Sequence, residues 1–344
     1  VLSFSGLRLS SLKRQKALKQ EKVRMAAVET RGDSDSGPDA GAVVGRARTM
    51  AEMAKLHSKM WAADLTDRSI AAWRPRSDDV VISPYSKCGT TWLQQMFHTL
   101  RTGRSGGDLD FDDISAVVPW IETSQGLSID LEAPQKASPR GFKSHLGRSR
   151  LPRGSKAIVA FRDPKDALVS LHRFMEGWFL EAGAVSVSEF ARGFIDRRGE
   201  GRDYWSHLLS WWAERDDRET LLLSYEGMSA DPAGAVRAVA RFCGIGLDED
   251  LLALTLERSS FSFMRANKAK FDDRLMREAS ERLCGLPPGS DSAKVRRGAV
   301  GSHREELPAE LSAELDGVWA EGVTPTTGFA DYAEFEAAVR ARLA

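Results

Sequence analysis

The run Val80–Val81–Ile82–Ser83–Pro84–Tyr85–Ser86–Lys87–Cys88–Gly89–Thr90–Thr91–Trp92–Leu93 constrains the fold more than any other part of the chain. Its apolar opening reads as a buried strand, its centre as a tight polar turn, and its end as a helix that opens on Thr-Thr. A strand–turn–helix of this kind builds an anion site. Gly89 lets the backbone approach the anion closely, and the first free N–H groups of the helix point at it. Thr90 and Thr91 add hydroxyl donors, and Lys87 adds a positive charge. The nucleoside-triphosphate loop G-x-x-x-x-G-K-[ST] is a different pattern, because Lys87 precedes Gly89 and no G-K-[ST] occurs in the chain. The expected ligand is therefore phosphorylated, but neither ATP nor GTP.

Further strand–helix alternations extend this unit. Residues 79–85, 140–145, 157–162 and 220–225 read as strands, and 91–102, a segment from Pro164, 203–213 and 231–243 as helices. A short helix over 47–62 precedes them. The alternation predicts an α/β fold with a central, mostly parallel sheet flanked by helices on both faces. With 344 residues, 42% hydrophobic and 28% charged, the chain is long enough for one large α/β domain or two smaller ones. Its 49 basic and 49 acidic residues cancel, so the charge balance points to neither a nucleic acid nor a membrane surface as partner. Cys88, Cys243 and Cys284 are too dispersed for a disulfide framework or a zinc site, and a reducing compartment is expected. No run of about 18 apolar residues is present to span a membrane.

The first methionine is Met25, and the residues before it are basic and serine-rich. They read either as an organelle transit peptide or as upstream sequence or a fragment. Residues 29–46 read as a disordered linker. The expected organisation is a disordered extension over 1–46 and a folded domain over 47–344.

Two more segments carry chemistry. Phe161–Arg162–Asp163–Pro164–Lys165–Asp166 is a strand end followed by a helix start, with Asp163 as N-cap and Pro164 at the first helical position. Arg162 is thereby held at the carboxyl end of a strand, where ligands of open α/β sheets bind. Its fork suits phosphate oxygens, and Ser170, two turns into the helix, is positioned to join it. The competing reading pairs Arg162 with Asp163 or Asp166 and confines it to holding the loop. In Gly141–Phe142–Lys143–Ser144–His145–Leu146, residues two apart share a face, so Lys143 and His145 project together. Lys143 would stabilise developing negative charge while His145 takes a proton from a nucleophile. None of His57, His98, His172, His207 and His303 sits beside a lysine at strand spacing near a phosphate loop. A third cluster, Lys294–Val295–Arg296–Arg297–Gly298–Ala299–Val300–Gly301, reads as a mobile loop closing over phosphate or as a solvated surface run.

Together these segments resemble the cytosolic sulfotransferase family, which uses 3′-phosphoadenosine 5′-phosphosulfate (PAPS). The family's loop Tyr-Pro-Lys-Ser-Gly-Thr-Thr-Trp is similar to Tyr85–Trp92, with Ser86 for Pro and Cys88 for Ser. Its Arg-Asn-Pro-Lys-Asp motif, with a Ser eight residues after the Arg, is matched by Arg162, Pro164, Lys165, Asp166 and Ser170, Asp163 replacing Asn. Lys-Thr-His is matched by Lys143–Ser144–His145, and Tyr-Glu by Tyr225–Glu226. Thr-Ser-Phe-x-x-Met is matched by Ser259–Ser260–Phe261–Ser262–Phe263–Met264, and Arg-Lys-Gly-x-x-Gly by Arg296–Gly301. The order and rough spacing agree from about residue 60 to 325.

The resemblance implies the P-loop-like sulfotransferase fold and sulfonate transfer from PAPS to a hydroxyl or amine of a small acceptor. It implies His145, Lys87 and Lys143 as catalytic residues, no metal, and a cytoplasmic protein. Lys87, Cys88, Gly89, Thr90, Thr91 and Trp92 would bind the phosphosulfate end, Cys88 through its backbone N–H. Arg162, Ser170, Arg296, Arg297 and Gly298 would hold the 3′-phosphate, and Tyr225, Ser259, Ser260, Phe261 and Met264 would line the rest of the nucleotide site, with Trp92 and Phe261 sandwiching the adenine. Two departures stand out. Ser302–His303–Arg304 replaces the usual Asp-Trp-Lys, and the dimer motif of animal members is not recognisable in 304–313. Phe111, Trp120, Phe142, Phe174, Trp178 and Phe179 are candidates either for an acceptor pocket or for the core. The rival functions are a non-catalytic adenylate-binding protein of the same fold, a P-loop phosphotransferase, and a Golgi-type carbohydrate sulfotransferase.

Overall fold

The computed structural model describes residues 45–290 and 294–343; the expected N-terminal extension, apart from its last two residues, lies outside them. Among the described residues the sheet has four strands: β1 (Val80–Ile82), β2 (Gly141–Lys143), β3 (Lys156–Phe161) and β4 (Thr220–Ser224). Every pairing is parallel and the order is β2-β1-β3-β4. Parallel neighbours cannot be joined by a tight turn, so each connection must cross back over the sheet; helices make the crossings from β1 to β2 and from β3 to β4, while residues 144–155 between β2 and β3 hold only the short turn Arg148–Arg150.

Strand composition follows from burial on both faces. Val81, Ala157, Val159, Phe161 and Leu222 belong to one core cluster, while Val80, Ile82, Ile158, Ala160 and Leu223 belong to a second. Side chains alternate across a strand, so two cores require an apolar residue at nearly every position, as Val-Val-Ile of β1 illustrates. The helix Thr90–Thr102 covers one face with Leu93, Met96, Phe97 and Leu100, an i, i+3, i+4, i+7 stripe. Helices Tyr204–Trp212 and Ala309–Gly322 cover the other with Trp205, Leu208, Trp211, Leu315 and Trp319. A third cluster joins the helix Met50–Met60 to Phe174, Trp178, Phe179 and Met276.

Three of the strands are shorter than the sequence suggests, for local reasons, while β3 keeps the expected length. β1 stops at Ile82, and Pro84 has no N–H to extend the ladder. β2 stops at Lys143, because the next N–H closes on Ile82 O and the His145 N–H goes instead to Glu122 Oε1 at 2.6 Å. Tyr225 leaves β4 for a short helix, Tyr225–Ala230, which Ser224 caps. The expected cap at Asp163 is present, its carboxylate accepting the Lys165 N–H at 2.8 Å ahead of Pro164. A second helix, Ala63–Ala72, follows the expected N-terminal one.

A buried ion pair pins the amino ends of β1 and β2. Asp79 accepts from Arg140 Nε at 2.8 Å and from Nη2 at 2.6 Å, immediately before the paired residues Val80 and Gly141. Removing the carboxylate strands a buried guanidinium. Asp79→Ala should therefore lower unfolding free energy by about 3–5 kcal/mol in urea titration. A loss below about 1 kcal/mol would mean that Glu132, which also reaches Arg140, compensates.

Candidate active site

Because all four strands run the same way, the segments leaving their carboxyl ends share one edge of the sheet. After β1 the chain makes a turn in which the Cys88 N–H donates to Tyr85 O at 3.1 Å. Lys87 and Gly89 both take left-handed backbone, φ 67° and 95°. For lysine that conformation costs about 1–2 kcal/mol, and it turns the chain sharply into the helix at Thr90. The first helical bond is Leu93 N–H to Gly89 O, so the N–H groups of Thr90, Thr91 and Trp92 precede the ladder. Thr90 Oγ1 and Trp92 Nε1 are buried without an intramolecular hydrogen-bond partner.

One expectation for this loop is corrected. Cys88 does not line the cleft: its side chain is buried in the core cluster and its N–H is spent on the turn, so it shapes the loop from behind. Lys87 does face the cleft, with Nζ 4.1 Å from the Phe174 ring centre. Burial first, then the charges of Lys294 and Arg162, hold its ammonium well below the usual lysine range.

The end of β3 is tied to two loops at once. Arg162 Nη1 donates to Lys87 O at 3.1 Å and Nη2 to Ala299 O at 3.0 Å, over the Tyr225 ring at 4.3 Å. Its Nε is buried without a partner. Asp166, 3.9 Å from Arg162, is committed elsewhere: it accepts from Gly301 N–H at 2.6 Å and from both His303 N–H and His303 Nδ1 at 2.9 Å. Burial alone would raise the Asp166 carboxyl, but the His303 and Gly301 hydrogen bonds outweigh it and hold the group down to about 2. His303, one of the departures from the family pattern, therefore anchors the late loop to the helix after β3. Arg296 and Arg297 share the Glu306 carboxylate at 3.6 and 3.3 Å, and Ser170 lines the cleft with them.

Gly298 stacks on the segment after helix Glu249–Arg258. Its φ is +66°, and a Cβ there would stand 2.7 Å from Phe261 Cδ2. Phe261 is 39% exposed at the cleft, and Ser260 caps the short helix that it opens. Ser259 and Met264 also line the cleft, although the Ser259 hydroxyl is spent on Thr255 O at 2.6 Å. Tyr225 lies edge-on to Trp92 at 5.5 Å.

Beyond β2, His145 Nδ1 lies 2.8 Å from Pro84 O. A carbonyl only accepts, so Nδ1 carries the proton and Nε2 keeps its lone pair. Burial, then the charge of Lys143, keeps the imidazole pKa well below its ordinary value. Lys143 Nζ sits 3.9 Å from the Trp120 ring centre, and Trp120 lies edge-on to His145 at 5.0 Å. Burial lowers Lys143 to about 8 against the raising influence of Asp273, 3.1 Å away.

Every expected site residue except Cys88 lines one cleft of about 1130 Å³. Three further groups support the site. Glu122 holds the His145 backbone, Asp273 holds Lys143, and Lys294 reaches Asp273 from the late loop. Lys294 lay within a basic cluster visible in the sequence. Glu122 and Asp273 lay in no motif, and only the fold brings them to the site. Trp120, Phe174 and Trp178 also line the cleft, joined by Met50, Met53 and His57 from the N-terminal helix and by Trp61 just after it. Phe111, Phe142 and Phe179 do not line it and belong to the core alone.

A parallel sheet whose strand ends converge on a cationic cleft, opened at one end by helix N–H groups, is the arrangement in which α/β proteins take phosphoryl-type anions. The family model described as the sulfotransferase domain matches residues 77–327. Among curated relatives, a luciferin sulfotransferase of Photinus pyralis is 26% identical over 73% of this chain and 73% of its own. An amine sulfotransferase of Oryctolagus cuniculus is 26% identical over 72% of this chain and 81% of its own. Among solved structures, retinol dehydratase in complex with androsterone and the inactive cofactor PAP superposes with a TM-score of 0.63 at 19% identity, covering 78% of this chain and 87% of that one. A mouse sulfotransferase complexed with PAP gives 0.61 at 22% identity, covering 82% and 96%. The chain belongs to the sulfotransferase family and is a sulfotransferase enzyme. Among the described residues no helix is long and apolar enough to cross a membrane, and no cluster of His, Cys, Asp or Glu is set to hold a metal.

Gly89 offers a direct test of the loop. A Cβ at φ +95° would meet Met228 Cε and Tyr225 Cδ2, each at 3.2 Å. Gly89→Ala should lower the urea-unfolding free energy by about 1–2 kcal/mol from backbone strain alone. An unchanged midpoint would mean that the turn relaxes.

Proposed function

We propose that this sulfotransferase takes its sulfonate from PAPS and delivers it to a hydroxyl or amine of a small, largely apolar acceptor, with His145 as general base. The observation that carries the proposal is the tautomer imposed on His145. Pro84 O holds the Nδ1 proton, which leaves an uncharged Nε2 lone pair in the same cleft as Lys87, Lys143 and the helix N-terminus. The cleft suits PAPS on its own chemistry. Thr90 Oγ1 and Arg162 Nε are buried donors without partners, and Arg296 and Arg297 stand ready to exchange the Glu306 carboxylate for a phosphate.

When bound, PAPS supplies the sulfonate and a phosphate leaving group. Lys87 and the N–H groups from Gly89 to Trp92 would hold the phosphosulfate end. Arg162, Ser170, Arg296 and Arg297, beside Gly298, would hold the 3′-phosphate. Trp92, Tyr225, Phe261 and Met264, with the Ser259–Ser260 backbone, would wall the adenosine. His145 Nε2 would receive the acceptor proton, while Lys143 and Lys87 offset the negative charge that develops on the transferring group and the leaving phosphate. The lining of His57, Trp61, Trp120, Phe174 and Trp178 favours a flat apolar acceptor body.

The first experiment is transfer of labelled sulfonate from PAPS across phenols, alcohols, amines and sugars. PAPS binding without transfer to any of them would favour the non-catalytic alternative. His145→Ala should lower kcat by about 10²–10⁴-fold with little change in PAPS affinity; near-normal turnover would remove His145 from the chemistry.

The sign of its pH dependence is set by burial. A base whose pKa lies below 6.5 is already neutral above that value, so the acidic limb of kcat/KM should fall below pH 6.5. A limb at or above 6.5 would contradict a desolvated base. Arg297 is half-exposed, so Arg297→Ser should spare folding. It should weaken adenosine 3′,5′-bisphosphate about tenfold or more in calorimetry, the worth of a charge-assisted hydrogen bond, and leave adenosine 5′-phosphosulfate unchanged. Equal losses for both would exclude a 3′-phosphate role.

A further inference from the structure

Asp273 takes no part in the steps above, yet it is the most heavily engaged carboxylate in the cleft. It is 2% exposed and accepts from Ser115 Oγ at 2.8 Å and Lys143 Nζ at 3.1 Å, with Lys294 Nζ in close contact. These partners come from three separate places: the start of helix Ile114–Val117, the end of β2, and the beginning of the late loop. Asp273 itself has φ +51°, outside the usual range for a residue with a Cβ. Such strain persists only where the surroundings over-determine it. Here they do: the Asp113 carboxylate, which caps Ile114–Val117, also accepts the Leu275 N–H at 3.1 Å and so fixes the backbone just after Asp273.

We propose, on the reading that Lys143 acts in sulfonate transfer, that Asp273 is a positioning residue linking the two ends of the PAPS site. Through Lys294 it seats the loop that carries Arg296, Arg297 and Gly298, and through Lys143 it holds an ammonium beside His145. One buried carboxylate then serves two ammonium groups, and each competes with the other for it. The charged and titratable groups facing Lys143 are Asp273, Lys294, Lys87 and His145. Asp273 favours the charged form of Lys143, and Lys294 disfavours it.

This competition gives variants at the two positions opposite signatures. In Asp273→Asn, Lys143 loses its carboxylate and keeps the Lys294 charge, so the alkaline limb of kcat/KM for PAPS, which reports the free enzyme, should move toward lower pH. In Lys294→Met, Lys143 has Asp273 to itself, so the limb should move toward higher pH. In both variants the KM for PAPS should rise several-fold because the loop loses its tether, and Asp273→Glu, which keeps the carboxylate, should show smaller changes than Asp273→Asn in both KM and the limb.

A purely structural role would lower activity without moving the limb in opposite directions. Limbs that stay in place, or shift the same way in both variants, would overturn the proposal. Circular dichroism and thermal melting would establish that each variant is folded. Should Asp273→Asn fail to fold, the alkaline shift and raised KM of Lys294→Met decide the matter alone. Should the wild-type enzyme transfer no sulfonate from PAPS, the functional reading fails, and the tether is then judged separately. Unchanged adenosine 3′,5′-bisphosphate affinity in Lys294→Met would exclude it, and a several-fold loss would support it.

Discussion

Parallel strand pairing is the constraint from which the rest of this structure follows. Four strands hydrogen-bonded in the same direction send their chains out at one edge, so the residues that end them are neighbours whatever their separation in sequence. Lys143 and His145 lie at and just beyond the end of β2, Lys87 in the turn after β1, Arg162 after β3 and Tyr225 after β4. The crossover helices that parallel pairing demands bury both faces of the sheet. The backbone at that edge is thereby held in place, and the loops are free to carry polar groups.

The cost of this convergence is electrostatic. Lys87, Lys143, Lys294 and Arg162 gather at the cleft, and Asp273 is the acid most directly shared among them. Burial lowers the ammonium pKa values, and mutual repulsion lowers them further. Where charge cannot be removed, the protein spreads it: the guanidinium of Arg162 rests on two backbone carbonyls and an aromatic face, Lys143 on Trp120, and Lys87 on Phe174. A multiply charged anion relieves such a site, so the proposed cofactor binding, the seating of the late loop and the protonation of Lys143 depend on one another.

Much of the site was legible because its residues are adjacent in sequence to the element that positions them. The turn before Thr90, the Asp163 cap and Lys143–His145 each require only local geometry, and the strand and helix assignments around them erred by a few residues at most. Two other placements have local causes too. Cys88 sits in a loop whose neighbours face the cleft, but its N–H closes the turn and its thiol points inward. Phe142 alternates with Lys143 and so faces the opposite side of the sheet, against Trp73. Nothing in the sequence around Asp273 or Glu122 distinguishes them from surface acids, because their importance lies in partners more than a hundred residues away or on another segment.

The sequence by itself determined the parallel α/β architecture, the tight turn before Thr90, the family and the order of the cationic motifs. These depend on strand and helix periodicity and on spacings of a few residues, which short-range sterics and hydrogen bonding decide. Tertiary structure alone decided which aromatics became cleft and which became core. It also decided which proton His145 keeps, that His303 locks the late loop to Asp166, and that one carboxylate, Asp273, answers to both Lys143 and Lys294. Each of those outcomes depends on the distance between groups remote in sequence. In a buried site, moreover, the energies of charge and hydrogen bonding are set by such distances and by the surrounding desolvation rather than by residue type.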